Sequence, residues 1–262
     1  MGQSPTSKFP IICDLDGVVW LSHRPIAGSV EAIDRMREAG HRVLFVTNNS
    51  AALVADQEAA LTSIGISAHG EVLTSAMAAA VLIEAGQRVH VCGGPGIREA
   101  VERRGAVVLL GGDDDPQADA VIVGFHRDFD YEGLRRATAQ VRGGARLIGT
   151  NDDATYPTPD GLIPGGGSIV AAVATASERP AVFAGKPHEP AAELVREVLG
   201  GAAAAAAVMV GDRPSTDGGF ARTLGCRYAL VYSGVTAPDD VVAPSPDLVG
   251  ADLAAIADQI LD

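Results

Sequence analysis

Carboxylates, a lysine, a hydroxyl and turn amides gather at four places in this chain: Asp14-Leu15-Asp16-Gly17, Thr47-Asn48-Asn49, Gly185-Lys186-Pro187, and Gly211-Asp212 followed by Asp217. In an extended segment Asp14 and Asp16 project to one side, and a turn at Gly17 brings both carboxylates over one site. Two adjacent carboxylates repel, so a cation is expected. With Asp212 and Asp217 added, the set becomes an oxygen-rich cluster suited to a hard ion such as Mg2+, which keeps several waters and also binds substrate phosphate. Lys186 then balances charge, while Thr47 and the amides around Gly17, Asn48 and Asn49 can donate to phosphoryl oxygens. The chemistry this combination suits is phosphoryl transfer.

Singly, each stretch has an ordinary explanation: Asp-x-Asp as a capped turn, Thr-Asn-Asn as a turn, Gly-Lys-Pro as the start of a helix, Asp217 as a helix cap. Their weight comes from position, because each follows an apolar run with the character of a β-strand. Open parallel sheets bind ligands at the C-terminal ends of their strands. Such runs cover 9–13, 42–46, 89–92, 106–110, 120–123, 146–148, 181–184, 206–210 and 227–232, and they alternate with Ala-rich amphipathic segments. The alternation predicts an α/β fold with a parallel sheet. Helices are expected over 30–39 and 54–64, with Gly40 and Gly65 as left-handed caps. Others are expected over 75–85, 97–104, 131–142, 168–177, 189–199, 216–224 and 253–261.

At 262 residues the chain is long enough for two compact units. Its 20 basic and 33 acidic residues, a net charge of −13, leave no basic footprint for nucleic acid or an anionic membrane. The most apolar stretches fall short of the roughly 20 residues that span a bilayer, and no secretory signal opens the chain. Met1, Gly2 and Thr6 fit a short myristoylation pattern that lacks a second anchor, and chance explains it. Cys13, Cys92 and Cys226 show no paired spacing, so reduced thiols and a cytoplasmic location are expected. The histidines at 23, 41, 69, 90 and 188 lack metal-ligand spacing and suit surface or loop positions. Gly93-Gly94-Pro95-Gly96 suits a tight turn between strand and helix, and 111–117, with three consecutive aspartates, an exposed loop.

The four stretches, in this order, resemble the motifs of the haloacid dehalogenase superfamily, in the branch of 4-nitrophenyl phosphatase-like, phosphoglycolate and pyridoxal phosphate phosphatases. Asp14-Leu15-Asp16-Gly17-Val18 is similar to motif one, Thr47-Asn48-Asn49-Ser50 to motif two, Gly185-Lys186-Pro187 to motif three, and Gly211-Asp212-Arg213 with Thr216-Asp217 to motif four. Thr150-Asn151-Asp152, Tyr156-Pro157 and Gly161 to Gly165 resemble stretches typical of the branch. The resemblance implies a Rossmann-like core over 1–77 and 181–262 with an inserted, smaller α/β cap over 78–180. It implies that Asp14 attacks phosphorus, that Asp16 acts as acid and then base, and that Lys186 holds charge. Asp14, Asp212 and the Asp16 carbonyl would bind Mg2+, Asp217 would act through waters or on Lys186, and Thr47 would hold phosphate. Caps of this branch often mediate dimers, so a homodimer is a further expectation.

The departures from the family pattern fall at positions of specificity. Ala51-Ala52 stand where Arg or Thr is frequent, and His126 stands where Asp is common. Substrate choice is therefore expected near His126, Asn151 and Asp152, with a small polyol or sugar phosphate favoured over a polycarboxylate. Gly218-Gly219 is unusual too, since glycine costs a helix about 1 kcal/mol against alanine. A mutase would carry a small cap between motifs one and two, where only about 30 residues stand. A dehalogenase needs neither the second aspartate nor the acid cluster. A scaffold that kept only the fold is expected to lose Asp14, Asp16, Lys186 or Asp212, and all four remain.

Overall fold

The structure, a computed structural model, describes residues 8–109, 111–112, 116–158 and 161–262. The segment with the myristoylation-like pattern and the three consecutive aspartates at 113–115 lie outside the described residues. The chain forms two compact units, one of Met1–Thr47, Gln57–Leu73 and Val195–Asp262, the other of Asn48–Asp56 and Thr74–Leu194.

The first unit is built on a six-stranded sheet whose order is Leu248–Gly250, Arg227–Val231, Val208–Gly211, Ile11–Cys13, Val43–Thr47, Val72–Thr74. Ile11–Cys13 runs parallel to both neighbours, pairing Ile11 with Val208 on one side and with Val43 on the other. Its strands are short and apolar, and Ile11, Ile12, Leu44, Phe45, Met209 and Leu230 are all fully buried. This is the burial expected of a parallel sheet covered on both faces. From Ile11–Cys13 the chain moves outward to Val43–Thr47, whereas Val208–Gly211 leads on to the opposite edge. The crevice where strand order reverses therefore lies at the C-terminal ends of Ile11–Cys13 and Val208–Gly211. Asp14 and Asp212 are the residues that follow those ends.

The second unit holds a five-stranded parallel sheet in the order Val182–Phe183, Arg146–Gly149, Ala120–Val123, Arg88–Cys92, Val107–Leu109. Val121, Val123, Leu147, Val170 and Val173 pack its core with Ala137 and Val141 of the helix Tyr131–Arg142. That helix is capped by Asp130, whose carboxylate accepts from the Gly133 amide at 2.7 Å.

Most expected elements are present within a residue or two, and Gly40 (φ +91) and Gly65 (φ +101) take the left-handed conformation predicted for them. One strand changes place. Val182–Phe183, expected to open the second core segment, pairs instead with Arg146–Gly149 of the second sheet, Val182 opposite Ile148. The ladder continues into the loop, where the Ala184 amide donates to the Gly149 carbonyl and the Gly185 amide to the Thr150 carbonyl. The helix expected over 216–224 begins instead as a π-helical turn, Pro214–Gly218, and becomes α only over Gly219–Leu224. The hairpins Trp20–Leu21 with Arg24–Pro25 and Thr155–Thr158 with Gly161–Pro164, the strands Val72–Thr74 and Leu248–Gly250 and the helix Gly201–Ala206 are additional to the sequence reading.

Candidate active site

In the first unit, Asp14, Asp212 and Asp217 each place a carboxylate oxygen within 4.8 Å of the other two. Asp217 is fully buried and Asp212 nearly so. Each carboxylate is held by a backbone amide. Leu15 donates to Asp14 Oδ1 at 2.8 Å, Arg213 to Asp217 Oδ2 at 3.0 Å, and Val235 to Asp212 Oδ2 at 2.7 Å. Three negative groups so close and so little hydrated repel strongly, and a hard divalent cation relieves that repulsion. The same charge reaches Tyr228: burial, and after it Asp217, Asp212 and Asp14, hold its phenol well above the ordinary range. The residues present thus fit Mg2+, with all-oxygen donors and a strongly negative surrounding.

Glycines make the crowding possible. Gly17, at φ +88, turns the chain after Asp16, and its amide donates to the Trp20 carbonyl at 2.8 Å. A side chain at Gly17 or Gly234 would run into the Asp212 carboxylate, and one at Gly211 into Asp217. Gly218, which the sequence suggests as a weakness in its helix, sits where a Cβ would come within 2.9 Å of both Pro244 and Tyr228. The small residue lets the π-helical turn carrying Asp217 lie against the Arg227–Val231 strand.

The segment Ser233 to Thr236, unmarked by any motif, supports this centre. Thr236 Oγ1 donates to the Asp212 carbonyl at 2.5 Å, and Ser233 Oγ donates to the Gly17 carbonyl at 2.7 Å. Its signal in the sequence is positional: Ser-Gly-Val-Thr closely follows the strand Arg227–Val231. The Asp16 side chain lies outside the three-acid group, while its backbone bridges to Trp20. Trp20 is a core residue, 1% exposed. Thr47, buried, ends the strand beside Ile11–Cys13.

The second unit gathers a different set. Lys186 follows Val182–Phe183 and is only 1% exposed. A lysine so buried requires its charge to be met by opposite charge and hydrogen bonds. Asn48 Nδ2 donates to the Lys186 carbonyl and to Asp153 Oδ2, both at 3.0 Å. Asn151, expected near substrate, spends its amide on the chain: Nδ2 donates to the Asn48 carbonyl at 2.8 Å, and Oδ1 accepts from the Asp153 amide at 3.2 Å. Asn49 Oδ1 accepts from the Ala51 amide at 3.0 Å. Ala51 and Ala52, seen in sequence as a missing basic contact, pack on the glycine turn. A Cβ on Gly94 would fall 2.6 Å from the Ala51 Cα, and the Gly96 amide donates to the Ala51 carbonyl at 3.1 Å.

His126 is half-buried, its Nδ1 3.1 Å from the Gly124 carbonyl and its ring edge-on to Phe129. Asp152 pairs with His188 Nε2 at 3.0 Å, a hydrogen bond that holds its carboxyl below the ordinary aspartate range. His41 and His90, expected at the surface, are buried, His41 against the Phe9 carbonyl at 2.8 Å. All three cysteines are buried, and burial pushes the Cys92 and Cys226 thiols up to about 11. Thiols so high remain protonated at neutral pH and make poor nucleophiles.

Known proteins resemble this chain along most of its length. The haloacid dehalogenase-like hydrolase family matches residues 11–107, and the HAD-hydrolase-like family matches residues 183–256. The D-glycerol 3-phosphate phosphatase of Mycobacterium tuberculosis is 35% identical over 241 residues, 90% of this chain; the chain spans 66% of that protein's length. A crystal structure of a glycerol phosphate phosphatase from the same organism, in complex with magnesium, is 32% identical with a TM-score of 0.85, covering 95% of this chain and 76% of that one. The p-nitrophenyl phosphatase of Archaeoglobus fulgidus superposes with a TM-score of 0.88 at 29% identity, over 97% of this chain and 99% of its own. On these likenesses the chain belongs to the haloacid dehalogenase-like hydrolases, among relatives that are phosphatases.

Proposed function

We propose that this protein hydrolyses the phosphate monoester of a small metabolite through a phospho-aspartate on Asp14. The observation that carries the reading is the convergence of Asp14, Asp212 and Asp217 within 4.8 Å. Asp14 attacks phosphorus, forming a carboxylate oxygen–phosphorus bond as the bond to the ester oxygen breaks. Asp16 gives its proton to the departing alcohol. It then takes a proton from water as that water attacks phosphorus, which frees inorganic phosphate and returns Asp14. Lys186 neutralises charge on the phosphoryl oxygens, and Thr47 with the amides near Gly17, Asn48 and Asn49 donates to them. Asp14, Asp212 and the Asp16 carbonyl would hold Mg2+, with Asp217 behind them. The bound ion supplies the positive charge that lets a phosphate dianion approach a cluster of carboxylates.

We further propose that leaving-group recognition belongs to the second unit, around His126 and Asp152, and that the parts follow the division 1–77 with 181–262 for phosphate chemistry and 78–180 for selectivity. A polyol or sugar phosphate is the substrate class proposed. The name of the mycobacterial relative, a D-glycerol 3-phosphate phosphatase, supports it. A cytoplasmic homodimer is proposed as the working form, and the buried thiols suit a reducing compartment. The test is phosphate release from a broad panel of phosphate esters with Mg2+, run beside Asp14→Asn. Turnover of a small ester by the wild type and none by the variant is expected. A wild type inactive on every ester would favour the scaffold reading.

A further inference from the structure

Asp153 belongs to none of the four motifs, yet it anchors a closed set of hydrogen bonds around Asn48. Both protons of the Asn48 amide nitrogen are used, one by Asp153 Oδ2 and one by the Lys186 carbonyl, each at 3.0 Å. Two acceptors at one end also settle which end of that amide is nitrogen. The Asn48 carbonyl accepts from Asn151 Nδ2 at 2.8 Å and from Ser75 Oγ at 2.7 Å. Asn151 Oδ1 in turn accepts from the Asp153 amide at 3.2 Å, closing the ring. The space is tight as well: a Cβ on Gly185 would fall 2.6 Å from Asn48 Oδ1 and 2.9 Å from the Ser75 Cβ. All of these residues lie in the second unit.

We propose that Asp153 and Asn151 are positioning residues that hold Asn48, and that Asn48 fixes the backbone of Lys186 and the chain immediately after Thr47. The inference rests on the phosphatase reading only for the roles of Lys186 and Thr47. A half-buried amide bonded to a carboxylate and a carbonyl is confined to one geometry, and so is the lysine backbone it clamps. Asp153→Ala removes the charged acceptor and lets Asn48 turn. A misplacement of this kind can cost up to about 10²-fold in rate.

The test measures kcat and KM for Asp153→Ala and Asp153→Asn, each in the wild type and in an Asn48→Ala background, on the best natural ester and on an aryl phosphate. Asp153→Ala should lower kcat by about tenfold to a hundredfold equally on both esters, with KM changed less than about twofold. Asp153→Asn, whose amide oxygen still accepts, should recover most of the rate. In the Asn48→Ala background the Asp153 change should cost little further, because the hydrogen bond through which it holds Asn48 is gone. Loss confined to the natural ester, or losses that multiply in the double variant, would overturn the inference. Hydrogen exchange of the Asn48 side-chain amide, followed by NMR, reads the network without turnover. Exchange should quicken by at least about tenfold in Asp153→Ala and slow again in Asp153→Asn, whereas an unchanged rate would overturn the proposal. A wild type that hydrolyses no ester would sink the phosphatase reading alone, since the exchange measurement still decides this one.

Discussion

The two units gather their polar residues in different ways. At the edge of the six-stranded sheet, three carboxylates are brought within 4.8 Å of one another, and each is pinned by a backbone amide. In the second unit, Asn48, Asn151, Asp153 and Ser75 bond among themselves, and a buried lysine follows the outermost strand of the five-stranded sheet. The first carries surplus negative charge, and the second ties two amides, a hydroxyl and one carboxylate to the backbone beside a buried lysine. Surplus charge in a buried place is a demand for a counter-ion, whereas a ring of hydrogen-bonded amides is a device for holding position. The difference separates residues that should take part in bonding to phosphate and metal from residues that aim them.

Perturbing the acidic edge should have the largest effects. Asp14→Asn is expected to abolish turnover while leaving the thermal unfolding midpoint near that of the wild type, because the amide matches the acid in size but not in nucleophilicity. Retained turnover, followed by phosphate release, would end the assignment of Asp14. Excess EDTA should likewise stop the reaction and Mg2+ restore it. Ca2+ should bind without supporting much turnover, since its larger and looser coordination relaxes the in-line geometry. Asp16→Asn should slow turnover by roughly 10² to 10⁴, the range of a positioned acid–base group. A wild-type rate in that variant would mean another group moves the proton.

Changes to the supports of the acidic edge should be milder. In Gly234→Ala the new methyl would meet the Asp212 carboxylate and turn it away from the other two acids. Calorimetric titration should show Mg2+ bound about 10- to 100-fold more weakly, the usual cost of disturbing groups behind a metal ligand. Unchanged affinity would show that Asp212 is not a ligand.

The smallest effect belongs to the surface of the second unit. The Asp152 carboxyl is held below its ordinary value by its hydrogen bond from His188, so the linkage has a definite sign. The contribution to stability is complete above the unfolded value of about 3.9 and is lost as pH falls through the lower folded value. The stability difference between wild type and Asp152→Asn should be steady above that value and shrink below it, in denaturant titrations across pH. The pair is partly exposed, so the difference should be small.

The sequence shows most plainly those parts of the site that sit at the end of an apolar strand. Asp14 and Asp212 are legible because Ile11–Cys13 and Val208–Gly211 are short β-branched or apolar runs that end abruptly in acid. The helices Val54–Ser63 and Ser29–Glu38 are legible from their periodicity and the glycines after them. What escapes is non-local. Val182–Phe183 has only two paired residues, and nothing in its composition says which sheet will accept its hydrogen bonds. The segment Ser233 to Thr236 acts on Asp212 through one backbone amide and one hydroxyl, a role any sequence with the right backbone could fill. Gly218 looks like a helix breaker until Tyr228 and Pro244 are seen against it. Asn151 and Asp153 are polar residues after a strand, as ligand-binding residues are, and nothing in their spacing shows that they bond to Asn48.

The most direct test of the central claim is to catch the phosphoryl group on the protein. The wild type would be mixed with its best ester and Mg2+, quenched in acid during turnover, and treated with borohydride, which reduces an acyl phosphate to the alcohol. Mass spectrometry of the digest should then find homoserine in place of Asp14, and none in a sample quenched without ester. Homoserine at another carboxylate, or an unmodified Asp14 in a sample that is turning over, would contradict the account.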